Sequence, residues 1–302
     1  MIVITTPTGD IGGQVLAQVL DGAVLDGAAD HGEQVRVVVR DPGRLPEGVA
    51  GRVEVVVGSH GDPDVVDQAF AGADAAFWCV PPNPRAPRFE DVYTEFSGPA
   101  CEAFKRHGVG RVVGISALGR GTPVAGRAGL VTASLAMDDQ IAATGAGYRA
   151  LIMPSFMDNT LRQVEAIKNQ GVFYSTSPGD MKLPTCATRD IAAAATRLLF
   201  DRSWSGAGSV AVLGPEDLSF DDMAQIMSSV LARPVRYQRI PVEGLRQMML
   251  DRGASEAGAQ GMADMMTAKN EGLDNAEPRT PESTTPTTFR QWCEQILAPA
   301  VG

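Results

Sequence analysis

The sequence lacks the long apolar run that a membrane-spanning helix requires. Within its 302 residues, no stretch reaches the ~20 apolar residues that cross a bilayer. The first residues form an apolar, strand-like run rather than a basic segment followed by an apolar one, so no export signal is expected there. These two absences predict a cytoplasmic protein that does not associate with membranes.

Cysteine and histidine are scarce and scattered. The four cysteines form no paired motif, and the three histidines are also far apart in sequence: Cys79, Cys101, Cys186 and Cys293; His31, His60 and His107. This spacing argues against a disulfide framework and predicts no zinc or other metal site. Free thiols fit a reducing compartment, which agrees with the cytoplasmic expectation.

The sequence also lacks a compact basic patch. Its formal net charge is −10, and the short basic piece at residues 105–107 has the composition of a solvated helix end. A nucleic-acid-binding surface is therefore not expected. With 44% hydrophobic and 21% charged residues, the chain is ordinary for a soluble globular protein and long enough to bury a sizeable core.

What the chain does have is a phosphate-binding pattern at its start. An apolar run breaks at Thr6 into a glycine-containing turn, and a helix-like stretch follows. Backbone N–H groups and the helix dipole favour a pyrophosphate at such a helix start. In Thr6-x-x-Gly9-x-x-Gly12, Thr6 stands where the dinucleotide motif has its first glycine. We expect Gly9 to take the positive φ of the turn and Gly12 to let the helix lie close to the strand. The expected contacts are Thr6, Thr8, Gly9, Asp10, Ile11 and Gly12.

A second apolar strand, residues 34–40, ends in Arg40, and Arg44 follows closely. In dinucleotide-binding βαβ units the end of this strand faces the adenosine ribose. An acidic residue there binds the 2′-OH of NAD, whereas an arginine suits the 2′-phosphate of NADP. The order of turn and arginine therefore predicts NADP(H) as the cofactor, although Arg40 also fits a plain surface strand end.

Strand and helix signals alternate through the first half of the chain, with further strands at residues 53–57, 74–80, 111–116 and 148–153. This order predicts an α/β protein with a Rossmann-type doubly wound parallel sheet and right-handed crossovers. We assign residues 1–154 to an NADP-binding Rossmann domain. Residues 155–302 are assigned to a smaller C-terminal α/β substrate lobe with closing helices, which can also supply strands to the sheet. Residues 275–288, rich in Pro, Thr, Glu and Ser, read as a loop or strap before the last helix.

Ligands of such sheets bind at the carboxyl ends of the strands. This rule places further cofactor contacts after the fourth, fifth and sixth strands: Val80, Pro81, Ser116 and Pro154. Residues next to these strand ends, together with a tyrosine in the second half, are the expected substrate contacts: Pro82, Ala117, Phe156, Asn159 and Tyr174.

Several segments, taken in order, resemble the NmrA-like group of atypical short-chain dehydrogenases/reductases. They are residues 6–12, 39–42, 70–77, 112–118, 153–159, 171–174, 188–192 and 213–218. The resemblance covers most of the chain. It implies a Rossmann domain with a small substrate lobe, NADP(H) binding, and either reductase activity or cofactor-sensing regulation.

Two positions depart from that family's pattern. After the third strand the family often has Gly-Asp near the adenine, whereas this chain has Gly58-Ser59. Catalytic members of the broader superfamily carry Tyr-x-x-x-Lys on the helix after the fifth strand, and the matching positions are Val131 and Leu135. Neither side chain can donate a proton, so the usual acid is missing.

The favoured hypothesis is an NADPH-dependent reductase of a ketone or quinone on a bulky, polyketide-like aromatic metabolite. The proton then comes from water, from Ser116, from Tyr174 or from the substrate, and a phenol beside the target ketone is the preferred source. Ser116 and Tyr174 are the candidate catalytic residues, and both also fit structural roles. The alternative is a non-catalytic NADP(H)-sensing regulator that acts through a protein partner. A third reading is an isomerase or cyclase that retains the cofactor structurally. The oligomeric state is left open.

Overall fold

The strands form one large sheet and two small ones in the computed structural model, which describes residues 1–22, 32–88 and 91–302. In chain order they are β1 (Ile2–Thr5), β2 (Val35–Val39), β3 (Glu54–Val57), β4 (Ala75–Trp78), β5 (Arg111–Ile115), β6 (Gly147–Ile152), β7 (Ser155–Phe156), β8 (Val172–Ser175), β9 (Leu183–Cys186), β10 (Ala207–Ala211), β11 (Asp217–Leu218) and β12 (Arg236–Arg239).

The large sheet has seven strands in the order β10-β6-β5-β4-β1-β2-β3, and all neighbouring pairs are parallel. The chain builds outward from β1 to β3 and then returns to β4 on the other side of β1. This reversal is a topological switch point, where open α/β sheets bind their ligands. The predicted Rossmann-type doubly wound α/β fold is confirmed.

Helices cover both faces of this sheet, and others build the lobe. In chain order all the helices are α1 (Gly12–Asp21), α2 (Pro63–Phe70), α3 (Phe96–His107), α4 (Leu130–Ala142), α5 (Val164–Gln170), α6 (Thr188–Phe200), α7 (Phe220–Val230), α8 (Val242–Asp251), α9 (Glu256–Asn270), α10 (Phe289–Trp292) and α11 (Ala298–Val301). Among the described ranges, no helix is both long enough and apolar enough to span a bilayer.

Side chains alternate between the two faces of β1 because successive residues of a strand point in opposite directions. Val3 packs into the apolar cluster that also holds Trp78 and residues of α2, α3 and α4. Ile2 and Ile4 pack into the opposite cluster, with residues of α1 and α6. All four residues of β1 are buried, which is why this strand reads as a continuous apolar run.

The chain returns to the large sheet after residue 154. β10 pairs in parallel with β6, and residues of α6 share a buried cluster with those of α1. The division into residues 1–154 and 155–302 stays a prediction. β10 is an edge strand of the large sheet and α6 packs on one of its faces, although both come after residue 154.

The lobe has its own apolar core, formed by residues of β8, α7 and the C-terminal helices, among them Phe173, Met227 and Trp292. Ser219 caps α7: its hydroxyl accepts from the Asp222 N–H at 3.0 Å, and the Asp222 carboxylate accepts from the Ser219 N–H at 3.0 Å. This capping box fixes the start of α7.

Residues 275–288, the C-terminal strap, are fastened to the sheet. The Leu213 N–H donates to the Ser283 carbonyl at 2.8 Å, and the Thr285 N–H donates to the Leu213 carbonyl at 2.7 Å. Asp190 on α6 accepts from the Thr287 N–H at 3.0 Å and from its hydroxyl at 2.7 Å. The strap is therefore anchored beside β10 and α6 along its second half.

Candidate cofactor and active site

The loops that follow β1 and β4 leave the sheet side by side. The Thr5 hydroxyl donates to the Phe77 carbonyl at 2.9 Å and accepts from the Cys79 N–H at 3.0 Å. These two bonds tie the carboxyl end of β1 to that of β4. Thr6, Val80 and Pro81 therefore follow the carboxyl ends of adjacent strands.

The first loop is closed tightly around Thr6. A Cβ on Gly12 would lie only 2.2 Å from the Thr6 carbonyl oxygen, so this position admits no side chain. The close packing expected of Gly12 is confirmed. The prediction of a positive φ at Gly9 is wrong: the residue with a positive φ in this loop is Thr6, at 52°. The Thr6 carbonyl must turn out of the strand to accept from the Gly9 N–H at 2.9 Å, and a left-handed backbone at Thr6 achieves that turn.

This loop presents backbone donors at the start of α1. Among the described residues, the N–H groups of Thr8, Asp10, Ile11 and Gly12 have no hydrogen-bond acceptor. No side chain caps the helix at Ile11. Open N–H groups at the positive end of a helix dipole suit an anion. The residues predicted to contact the pyrophosphate thus lie in one loop, and the contact itself stays a prediction.

Two arginines lie at the neighbouring sheet edge. Arg40 directly follows β2, and Arg44 closes the short 3-10 helix Pro42–Arg44. The Asp41 carboxylate accepts from the Gly43 N–H at 3.0 Å and sets that turn. Both guanidinium groups are exposed, and within the described ranges neither forms an ion pair. They are free to bind a phosphate.

A buried histidine that sequence reasoning left without a role lies behind this edge. His60 follows Gly58-Ser59 and places its Nε2 3.0 Å from the Cys79 carbonyl oxygen. Because a carbonyl only accepts, Nε2 carries the hydrogen. The ring meets Trp78 and Phe96 edge-on, with centroids 5.2 and 4.8 Å apart. The pKa of His60 is lowered from 6.5 to about 4: burial is the largest cause, the bond to Cys79 opposes it, and the charge of Arg40 adds to it.

This histidine predicts an acid-sensitive fold. The unfolded chain binds a proton at His60 below pH 6.5, whereas the folded chain does so only below about pH 4. Stability is therefore complete above pH 6.5 and falls by about 3 kcal/mol as the pH drops from there to about 4. Urea unfolding across this range should show a clearly weaker pH dependence for His60→Gln. His107→Gln is the control and should keep the pH dependence of the wild type. An unchanged pH dependence in His60→Gln would contradict the role assigned to His60.

Ser116 follows β5 and belongs to a buried polar network. Its hydroxyl donates to Oδ2 of Asp138 at 2.5 Å, and the Tyr148 hydroxyl donates to Oδ1 of the same carboxylate at 2.6 Å. Arg120 lies 3.7 Å from Oδ2. Sequence reasoning named Ser116 but missed Asp138 and Tyr148. The available signal was a carboxylate on the apolar face of α4, between Leu135 and Ile141.

Val131 and Leu135, the positions where the superfamily's acid pair is expected from the sequence, lie in an apolar contact between α4 and α9. Val131 and Leu135 are buried in one cluster with Val124, Ala128, Ala268 and Leu273. Ala117 and Met265 pack against this cluster. These side chains form an apolar wall after Ser116.

The other predicted contacts divide between the sheet edge and the lobe. Pro154 is buried after β6, and the half-buried Phe156 packs on the cluster beneath α1 and α6. Asn159 lies half-buried on the 3-10 helix Met157–Gln163, whereas Pro82 is exposed. Tyr174 lies on β8 in a separate small sheet, where its N–H and carbonyl bond to Gln163 at 2.8 and 3.0 Å.

A chain of hydrogen bonds links the first loop to the lobe. The Gln14 amide donates to the Asp10 carbonyl at 2.6 Å and to the Thr188 hydroxyl at 2.8 Å. The Thr188 N–H donates to the Asp158 carboxylate at 2.9 Å. The phosphate-binding loop, α6 and the segment after Pro154 are therefore held in one arrangement.

The cysteines and histidines form no metal site in the described ranges, outside which His31 lies. The cysteines are free thiols. Burial raises the pKa of Cys79 to about 11 and that of Cys101 to about 12. These two thiols stay protonated near neutral pH and do not act as nucleophiles there.

Two family models match the chain. One is described as NAD(P)H-binding and matches residues 8–202, and the other is the NmrA-like family, which matches residues 139–293. A (4-alkanoyl-5-oxo-2,5-dihydrofuran-3-yl)methyl phosphate reductase of Streptomyces griseus is 30% identical over 83% of this chain and 80% of its own. An NAD(P)H azoreductase of Xenophilus azovorans is 27% identical over 88% of this chain and 86% of its own.

Solved structures share the fold. Triphenylmethane reductase of Citrobacter sp., complexed with NADP(H), superposes with a TM-score of 0.77 at 19% identity and covers 100% of both chains. An NADPH-dependent quinone oxidoreductase of Escherichia coli, complexed with NADPH, gives 0.74 at 20% identity over 100% of this chain and 98% of its own. At such identities these likenesses show the architecture alone.

Proposed function

Because the chain belongs to the NAD(P)H-binding, NmrA-like family and is an NAD(P)H-dependent oxidoreductase, we propose that it reduces a ketone or quinone of a bulky, conjugated aromatic molecule with NADPH. The apolar wall after Ser116 carries this proposal, because Val131 and Leu135 leave no acid at the usual positions. A conjugated acceptor spreads the charge that hydride brings over several atoms, so it needs less stabilisation than an isolated ketone does.

The residues around the switch point fit the cofactor. When bound, NADPH supplies the hydride. The open N–H groups of the first loop would hold its pyrophosphate, and Gly12 leaves room for the helix to approach. Arg40 and Arg44 would hold the 2′-phosphate. The strand ends at Pro81, Ser116 and Pro154 would line the nicotinamide.

The names of the relatives support a conjugated acceptor. The Streptomyces reductase is named for a dihydrofuran that carries oxo and alkanoyl groups, and the Xenophilus enzyme is named for an azo group. The proteins with similar folds are named for triphenylmethane dyes and quinones. Water, a phenol on the substrate and Ser116 are all compatible sources of the balancing proton.

Loss of NADPH absorbance with a small panel of carbonyl compounds tests the proposal. We expect turnover of 1,4-naphthoquinone and of 1-hydroxyanthraquinone, and none of cyclohexanone, which has no conjugation. Cyclohexanone reduced as fast as the quinones would overturn the argument from the apolar wall. Tight NADPH binding in calorimetry without oxidation by any carbonyl would instead favour the cofactor-sensing alternative.

Arg40→Ala tests the cofactor preference. A hydrogen-bonded charge contact is worth about 1.5–3 kcal/mol, so the Kd for NADPH should rise about 10- to 100-fold while the Kd for NADH stays unchanged. Calorimetry measures both. Arg52→Ala is the control, because Arg52 is exposed but already bonds the Leu20 carbonyl at 2.5 Å. Unchanged NADPH binding in Arg40→Ala would remove the assignment.

A further inference from the structure

The Asp138 carboxylate lies between the candidate active site and the sheet interior. It is 4% exposed, and its two oxygens accept from the Ser116 and Tyr148 hydroxyls. The charged groups that face it are Arg120, at 3.7 Å, and the neighbouring Asp139, which itself bonds Arg120 at 2.9 Å. Arg120 is therefore shared between two carboxylates and neutralises Asp138 only in part.

Burial outweighs the neighbouring groups and shifts Asp138 toward its neutral form. Burial raises the pKa of this carboxyl, and Asp139 adds to the rise; Ser116, Tyr148 and Arg120 act in the opposite direction. A proton on Asp138 is thus available at a higher pH than for an exposed aspartate.

The protonation state of Asp138 controls where the Ser116 hydrogen points. A serine hydroxyl has one hydrogen to donate. With Asp138 ionised, that hydrogen is used in the 2.5 Å bond to Oδ2. With Asp138 protonated at Oδ2, the carboxyl donates to Ser116, and the Ser116 hydrogen is released for another acceptor. The Ser116 backbone stays fixed because its N–H donates to the Leu151 carbonyl at 2.9 Å.

We propose that Ser116 is the catalytic hydroxyl that protonates the substrate oxygen and that Asp138 is the reservoir from which Ser116 is reprotonated. This inference rests on the proposed reduction. The acceptor carbon gains hydride while its oxygen takes the Ser116 hydrogen. Ser116 regains a hydrogen as the O–H bond of Asp138 breaks. The carboxylate that remains then takes a proton from water. In sum the carbonyl gains one hydride, which carries both electrons and leaves the cofactor oxidised, and one proton, which comes in the end from water.

Tyr148 is a positioning residue in this arrangement. A Cβ on Gly114 would lie 2.4 Å from the Tyr148 hydroxyl oxygen, so the phenol is held against the β5 backbone and away from the crevice. Burial raises the pKa of Tyr148 well above its usual range, and the phenol keeps its proton. Its bond to Oδ1 fixes the carboxyl so that Oδ2 faces Ser116.

Asp138→Asn is the first test, with 1,4-naphthoquinone as the acceptor. General acid catalysis contributes 10²–10⁴-fold, so kcat should fall by about 100-fold or more while the Kd for NADPH stays unchanged. The wild-type rate should decline as the pH rises through the pKa of Asp138, because the protonated form is active. The variant should lose this decline. The kcat of Ser116→Ala should be lowered by a similar factor. The kcat of the double variant should be no lower than that of either single variant.

Tyr148→Phe separates proton supply from a purely structural role. It removes one bond that stabilises the carboxylate, so the decline of rate with pH should move to higher pH. If the network only held α4 to the sheet, Tyr148→Phe would change stability and leave the pH profile in place.

A comparison of two substrates tests the substrate phenol as the acid. 1-Methoxyanthraquinone should react as fast as 1-hydroxyanthraquinone, whereas a substrate phenol acting as the acid would make the methoxy compound inert.

A measurement without substrate keeps this inference separate from the proposed reduction. The C=O stretch of protonated Asp138, assigned in infrared difference spectra by its loss in Asp138→Asn, should titrate above the ordinary pH range of aspartate. Tyr148→Phe should shift that titration upward. An Asp138 that stays ionised wherever the protein is folded would overturn the proposal, as would Asp138→Asn with the wild-type rate and pH profile.

Discussion

Gly12→Ala is expected to abolish cofactor binding and to lower the free energy of unfolding by about 3 kcal/mol. The new Cβ would lie 2.2 Å from the Thr6 carbonyl oxygen and 2.8 Å from the carbonyl carbon. Thr6 cannot retreat, because it already has a positive φ and its carbonyl accepts from the Gly9 N–H. The loop must open, and its N–H donors then no longer converge on one anion.

Calorimetry with NADPH and urea unfolding measure the two effects. Gly9→Ala is the matched control for stability. Its Cβ would lie 3.4 Å from the same oxygen, an ordinary contact, and Gly9 has no positive φ. That control should unfold within about 0.5 kcal/mol of the wild type. A Gly12→Ala protein with wild-type stability and NADPH affinity would contradict this account of the loop.

Asp190→Asn should lower the free energy of unfolding by about 3 kcal/mol, because it removes a buried charge whose two oxygens both accept hydrogen bonds. Both carboxylate oxygens accept from Thr287, one from the backbone and one from the hydroxyl. An asparagine turns its own N–H groups toward one of these donors. The C-terminal strap then loses its anchor on α6. The midpoint of urea unfolding measures the loss.

Thr287→Val is the graded comparison for this anchor. It removes the hydroxyl bond of 2.7 Å to Asp190 and the 2.8 Å bond that the same hydroxyl accepts from Arg189, and it keeps the backbone bond of 3.0 Å. About 1–2 kcal/mol should be lost. The ranking of the two variants is the decisive result. Equal losses would contradict the larger contribution assigned to the Asp190 carboxylate.

The arrangement of the sheet was predictable because its determinants are local. Buried parallel strands read as apolar runs, and β1 and β2 are buried along their whole length. Right-handed crossovers then place the strand ends at one edge. For the same reason the sequence brings Thr6, Pro81, Ser116 and Pro154 to that edge without any knowledge of side-chain contacts.

The polar network was not predictable because it depends on strand register and helix rotation together. Tyr148 reaches Asp138 across Gly114, which requires the β5–β6 pairing of Val112 with Tyr148 and Gly114 with Ala150. A shift of one residue would turn the phenol to the other face. The positive φ at Thr6 was missed for a related reason: glycine preference identifies residues that tolerate a left-handed backbone, but the direction in which the carbonyl must turn decides which residue adopts it.

The hydrocarbon contact between α4 and α9 also limits how this enzyme can change. The tyrosine and lysine of the superfamily pair are expected from the sequence at positions 131 and 135, where the present side chains are 4% and 8% exposed. The first would overfill a packed cluster, and the second would bury an ammonium among alanine and leucine side chains. Engineering such a pair would therefore have to begin with smaller side chains on α9, which contacts α4 in space although it begins more than 120 positions later in the chain.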